Sequence, residues 1–223
     1  MIKAVIFDLD DTLVSEREYI ISGYCYISEI IKDKFHLVKN QVFSELMNLF
    51  EESHEYVFNR FFDNHSIEYT EDMINNLVSK FRNHFPNIHF YDDVIPFITY
   101  LKTNGIKVGI ITDGYTNAQQ QKLKSLNADN YFDEIILTDM YGREYWKPHP
   151  KAFEIMKERL EVEFDEMIFV GDNPEKDFFI SNIYPIKTVR IFRNGIHMDK
   201  DYFGNVKENY HIDNLKGLFE LIL

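Results

Sequence analysis

Hydrophobic and polar positions fall into two textures along this chain. Val5-Ile6-Phe7 is a short apolar run with β-branched and aromatic residues, which suits a buried strand, and it stops abruptly in Asp8-Leu9-Asp10-Asp11-Thr12. From about Ser15 to Pro86 strand signals vanish and helical spacing takes over. Tyr19, Ile20, Tyr24, Ile27, Ile30 and Ile31 recur at that spacing, as do Val42, Leu46, Leu49 and Phe50, then Tyr56, Val57, Phe61 and Phe62. Thr70-Glu71-Asp72 is placed to cap a further helix carrying Met73, Ile74, Leu77, Val78 and Phe81. After Phe90 the texture alternates. It predicts a helix over 93–102 stopped by Asn104-Gly105, a strand over 107–111, a helix over 116–126 and a short strand over 134–137. Pro150 opens the next helix, through Ala152, Phe153, Ile155, Met156 and Leu160. A strand over 167–170, a helix over 174–182, a strand over 188–192 and a closing helix over 212–223 complete the expectation.

Strands alternating with helices imply βαβ units and a parallel sheet. The first strand is cut off from the others by the helical stretch, so the sheet domain is expected to be discontinuous: residues 1–15 and 90–223, with a helical lobe over 16–89 inserted between. In parallel sheets ligands bind outside the carboxyl ends of the strands. Asp8, Thr112 and Asp172 each follow an apolar run and would therefore converge on one edge.

Composition narrows the classes. The 223 residues carry a formal net charge of -13, which argues against sequence-independent nucleic-acid binding and against docking on an anionic membrane. A phosphorylated substrate would also be repelled unless a metal and a few placed cations reversed the local field. Cys25 is the single cysteine, so no internal disulfide can form, which fits a reducing cytoplasm; it is expected to be a small buried hydrophobe. No signal-peptide stretch opens the chain, and no run of apolar residues reaches the roughly 18 that argue for a membrane span. Asn64-His65-Ser66 matches a glycosylation sequon and is read as coincidence.

The chemistry concentrates in four segments. Asp8-Leu9-Asp10-Asp11-Thr12 gathers carboxylates at a strand end, where burial without compensation is costly and a hard divalent cation relieves it. Val108-Gly109-Ile110-Ile111-Thr112-Asp113-Gly114 ends in a hydroxyl, a carboxylate and a glycine. Trp146-Lys147-Pro148-His149-Pro150 sets one lysine in a proline-stiffened loop, and the run Met167–Val170 opens into Gly171-Asp172-Asn173-Pro174-Glu175-Lys176-Asp177. Singly, each has a plain reading: a solvated acidic turn, a strand-end threonine, a surface lysine, a turn-forming Asn-Pro. In this order they resemble the four motifs of the haloacid dehalogenase-like (HAD) hydrolase superfamily, and the resemblance spans about two-thirds of the chain.

That resemblance implies an α/β fold, a three-layer Rossmann-like parallel sheet core with an inserted α-helical cap, and a phosphatase. It implies Asp8 as nucleophile, forming an aspartyl-phosphate. Asp10 would act as general acid and then general base, its backbone carbonyl also ligating the metal. Thr112 and Lys147 would hold the transferred phosphoryl group, with backbone N–H groups at Asp113 and Gly114 adding donors. Asp8, Asp10 and Asp172 would bind Mg²⁺ in an octahedron completed by waters and a phosphate oxygen. Asp177 would orient Lys147 or a metal-bound water, from one turn into a helix, and Asn173 would assist or simply form the turn. The family often has asparagine at position 113, so the Asp113 carboxylate is expected to be paired or turned away. Asp11 is read as solvated or turn-forming, and His149 as a loop histidine touching solvent. Zinc is disfavoured, because no cysteine cluster or close histidine pair exists.

The expected activity is hydrolysis of a small phosphomonoester, a nucleotide or a sugar phosphate, in the cytoplasm. A sugar phosphomutase shares all four motifs, and a phosphate-binding module without turnover is the non-enzymatic rival. Dehalogenases of the superfamily lack the second acidic residue of the first motif, which Asp10 supplies here. The lobe is rich in aromatic residues that either stack on substrate or pack, and Phe58, Phe61 and Phe62 are a candidate homodimer patch.

Overall fold

The computed structural model describes residues 1–193, 195–197 and 199–222. Six parallel strands form one sheet: β1 (Ala4–Phe7), β2 (Lys107–Thr112), β3 (Glu134–Leu137), β4 (Met167–Gly171), β5 (Lys187–Ile191) and β6 (Tyr210–Ile212), in the order β3-β2-β1-β4-β5-β6. The all-parallel Rossmann-like order puts β1 in the interior, where Ala4, Val5, Ile6 and Phe7 are all buried. Phe7 is in register with Ile110 of β2 and Val170 of β4, so the residues just past it face the ends of both neighbours.

Among the described residues eight α-helices accompany the strands: α1 (Glu16–Phe35), α2 (Lys39–Glu52), α3 (Val57–Asn64), α4 (Glu71–Asn83), α5 (Val94–Thr103), α6 (Thr116–Ser125), α7 (Lys151–Leu160) and α8 (Phe219–Ile222). The chain divides into two compact units. One holds residues 1–16 and 88–222 with the sheet, and the other holds residues 17–87 with nearly all of α1 and the whole of α2–α4.

The sheet unit is packed by apolar side chains beneath the strands. Ala152, Phe153, Met156 and Leu160 of α7 lie against Ile6, Ile111, Ile136 and Phe169. In the helical unit the recurring apolar positions become the buried face. Tyr24 meets Phe50, Phe58 and Phe81, and a side-chain carbon at Gly23 would meet the Phe81 ring at 2.4 Å, so glycine is what allows this approach of α1 and α4. Thr70 caps α4 by accepting from the Met73 N–H at 3.2 Å. Phe58, Phe61 and Phe62 are buried within this unit, which removes them as a homodimer patch.

Three expectations need correction. No α-helix runs over 174–182: a turn leads into a single 3₁₀ turn, Phe179–Asn182. Asn173, Asp177 and Ser181 bond to nearby backbone groups, offering the segment an alternative to the helical ladder. The closing helix is likewise broken into β6, a 3₁₀ turn at Leu215–Leu218 and the short α8, with position 223 outside the described residues. Asn214 accepts from the Lys216 N–H, and Ile212 pairs with Ile191 in the sheet, so sheet pairing takes residues that periodicity assigned to a helix. Cys25 is exposed rather than buried, because α1 turns Tyr24, Ile27 and Ile31 inward instead.

Candidate active site

The chain leaves β1 at Phe7, and Asp8 is still tied to the sheet, its N–H donating to the Val170 carbonyl at 2.8 Å. Leu9 then accepts from the N–H groups of Leu13 and Val14 at 2.9 and 3.2 Å, closing a tight loop. Extended backbone ends there, and Asp8 and Asp10 take different partners. The Asp8 carboxylate takes the Lys147 ammonium at 2.7 Å, whereas Asp10 turns to α6. Asp11 adopts φ 50 and is almost fully buried, not solvated. Its carboxylate accepts from the N–H of Glu16 at 2.9 Å and of Ile196 at 3.1 Å, anchoring the start of α1.

Lys147 is the hub. Its ammonium reaches Asp8 Oδ1 and Asp177 Oδ1, both at 2.7 Å, and lies 5.2 Å from the centre of the Phe169 ring. The Lys147-Pro148 peptide bond is cis. Asp177 is fully buried, and its second oxygen accepts from the Asn173 N–H at 2.9 Å. The Asn173 side chain accepts from the Glu175 N–H at 3.0 Å and so shapes the turn. Gly171 is required by this arrangement: a side-chain carbon there would sit 2.3 Å from Asp177 Oδ2.

Asp8, Asp172 and Asp177 each present a carboxylate oxygen within 4.8 Å of the others, all three buried. The Asp10 carboxylate is not in this cluster. Burial pushes the Asp8 carboxyl up to about 7; the Lys147 ammonium opposes this, while the charges of Asp177 and Asp10 add to it. Asp172 is held well above the ordinary carboxylate range by burial and by the neighbouring Asp177 and Asp8. For Lys147 burial works against the charged form, but the carboxylates of Asp177, Asp8 and Asp113 outweigh it and its pKa rises. The Lys147 ammonium bonds Asp8 and Asp177, and Asp172 adds a third carboxyl group beside them; such an all-oxygen donor set suits a hard divalent cation.

The second edge of the site comes from β2 and the loop after it. Thr112 is buried at the strand end, where its hydroxyl accepts from Gln119 Nε2 at 2.5 Å and makes a long 3.4 Å bond to the Asp113 carbonyl. The Asp113 carboxylate is paired, accepting from the Thr138 hydroxyl at 2.7 Å and from the Lys147 N–H at 3.1 Å, with Lys176 3.5 Å from its other oxygen. It therefore fixes the lysine loop to β2. Gly114 has φ 127, a conformation that glycine adopts freely. His149 is exposed, and its Nδ1 accepts from the Lys151 N–H.

Two residues at this edge escape sequence reasoning. Gln119 donates to Asp10 Oδ2 at 2.9 Å as well as to Thr112, and Lys122 reaches Asp10 Oδ1 at 2.6 Å. A signal exists in retrospect. Ala118, Gln119, Lys122 and Leu123 form the buried stripe of α6, so two long polar residues occupy positions that usually carry apolar ones.

The chain is similar to known proteins along nearly its whole length. A glyceraldehyde 3-phosphate phosphatase of Methanocaldococcus jannaschii is 28% identical, over 100% of this chain and 97% of the relative. The pyrophosphatase PpaX of Bacillus mycoides is 26% identical, over 99% and 97% respectively. The crystal structure of a HAD phosphatase from Thermococcus onnurineus superposes with a TM-score of 0.63 at 28% identity, covering 99% of this chain and 98% of that one. The model of the haloacid dehalogenase-like hydrolase family matches residues 5–191, and the chain belongs to that family.

Proposed function

We propose that the protein is a Mg²⁺-dependent phosphatase that hydrolyses a small phosphomonoester through an aspartyl-phosphate on Asp8. The observation that carries this is the buried Asp8–Lys147–Asp177 chain, with 2.7 Å contacts on both sides of the ammonium, lying against Asp172. Lys147 screens Asp8 from the negative charge of an incoming phosphate and so permits the approach of two anions. Thr112 exchanges its weak bond to the Asp113 carbonyl for a phosphate oxygen, and backbone N–H groups at Asp113 and Gly114 complete the cradle.

In the first half-reaction an Asp8 oxygen bonds to phosphorus as the bond to the leaving oxygen breaks, and Asp10 gives its proton to that oxygen. In the second, Asp10 takes a proton from water as the water oxygen attacks phosphorus, releasing phosphate and restoring Asp8. Asp8, Asp172 and the Asp10 carbonyl would hold the cation, which when bound neutralises charge on the transferring phosphoryl group. Asp177 keeps Lys147 in place, and Asn173 keeps Asp177 in place. The 17–87 unit corresponds to the expected helical cap in this reading.

The relatives' names point to small phosphorylated metabolites, and glyceraldehyde 3-phosphate is the first substrate to test. The experiment is phosphate release from a panel of triose, sugar and nucleotide phosphates by the wild type and by Asp8→Asn. The wild type is expected to release phosphate, and the variant to be folded but inactive. Retained turnover in Asp8→Asn refutes the nucleophile. Isomerised product without matching free phosphate assigns a mutase instead.

A further inference from the structure

Helix α6 spends buried positions on Gln119 and Lys122, and both aim at one carboxylate. The Lys122 side chain is only 4% exposed, with its ammonium 2.6 Å from Asp10 Oδ1. Gln119 Nε2 lies 2.9 Å from Asp10 Oδ2, and the same nitrogen lies 2.5 Å from Thr112 Oγ1. Each oxygen of Asp10 is thus held by a different donor, which fixes the rotation of the carboxyl group as well as its position. Gln119 also sets the spacing between that carboxyl and the hydroxyl at the end of β2. Stability alone explains this poorly. A buried ion pair repays its desolvation only in part, and well-packed apolar side chains at such positions often do as well or better. Asp10 lies within the tight loop closed by Leu9, Leu13 and Val14, outside the sheet, so without these donors its side chain would be free to sample other rotamers.

We infer that Lys122 and Gln119 are positioning residues for Asp10, holding its carboxyl group where it meets the leaving-group oxygen in the first half-reaction and the attacking water in the second. The inference rests on the phosphatase reading above. In the first half-reaction the proton passes from Asp10 to the leaving oxygen as that oxygen parts from phosphorus and Asp8 takes its place. A misaimed Asp10 therefore penalises a poor leaving group, such as an alkoxide, and spares one that departs without a proton, such as dinitrophenolate. Loss of general packing would penalise both.

The test is kcat/KM, which reports the steps up to release of the alcohol, for an alkyl phosphate and a dinitrophenyl phosphate. Lys122→Met is expected to lose about 100-fold on the alkyl ester, the lower end of what a positioned acid supplies, and far less on the activated ester. In an Asp10→Asn background the same substitution is expected to cost nothing further on the alkyl ester. Lys122→Gln, which keeps a polar side chain too short to reach Asp10 Oδ1, is read in the same way should Lys122→Met fail to fold. Equal losses on both esters, no loss on the alkyl ester, or an undiminished effect in the Asp10→Asn background would each overturn the positioning role while leaving the phosphatase reading intact. A wild-type protein that hydrolyses neither ester nor any phosphomonoester removes both readings together.

Discussion

Gly171 offers a sharp test of how tightly the site is built, because it bears no chemistry of its own. It closes β4, and an added methyl carbon would stand 2.3 Å from Asp177 Oδ2 and 2.6 Å from Asp177 Cγ. Non-bonded heavy atoms settle near 3.5 Å or beyond, so Asp177 must retreat by roughly 1 Å. It cannot do so freely, being fully buried and held at 2.7 Å by Lys147 and at 2.9 Å by the Asn173 N–H. Overpacking together with one loosened charge-assisted bond costs about 2–4 kcal/mol. For a chain of this length that is a fall in Tm of about 4–16 °C. Lys147 follows Asp177, and a misplacement of about 1 Å at reacting groups costs on the order of 100-fold in rate.

Gly171→Ala is therefore expected to fold, to melt lower and to lose about 100-fold in kcat on the best panel substrate. Gly109→Ala is the control. Its added carbon would meet Met156 Sδ at 2.8 Å and Cε at 2.9 Å, the far end of a flexible side chain beneath the sheet. It is expected to lower Tm while leaving kcat unchanged. Wild-type kcat in Gly171→Ala, or an equal loss in Gly109→Ala, would show that the carboxylate–lysine chain is not what this glycine protects.

Other expectations can be checked directly. A chelator is expected to stop turnover and Mg²⁺ to restore it; indifference to chelation defeats the metal assignment. Because a ligand that binds only the folded state stabilises it by about 2.7 kcal/mol at a hundredfold excess over Kd, saturating Mg²⁺ is expected to raise Tm in the wild type and not in Asp172→Asn, as read by calorimetry. Asp11→Ala removes the acceptor for the Glu16 and Ile196 N–H groups and is expected to cost about 0.5–2 kcal/mol by denaturant unfolding, and no measurable loss there would mean the anchor contributes nothing to stability.

The order of apolar runs along the chain fixes the parallel sheet. Val5-Ile6-Phe7, Val108–Ile111 and Met167–Val170 are each too apolar and too short to be anything but buried strands, and all three take that form. Asp8 and Asp172, which follow two of those runs, come together for the same reason, because β1 and β4 are parallel neighbours in the sheet. The segments that misled sequence reasoning are those whose backbone partners lie far away or off the helical ladder. Ile212 joins β5 rather than a helix, and the Asn173–Asp177 turn answers to Lys147, thirty residues earlier in the chain.

What only the tertiary structure decides is which charge answers which. Lys147 in isolation is one lysine among many, and it becomes the hub because Asp8 and Asp177 approach it from separate loops. Gln119 and Lys122 look like ordinary polar positions of a helix until the fold carries Asp10, more than a hundred residues upstream, into their reach. Hydrophobic spacing is a local property that any stretch of sequence displays. The pairing of buried charges depends on distances between remote segments, and those distances exist only once the sheet has closed around β1.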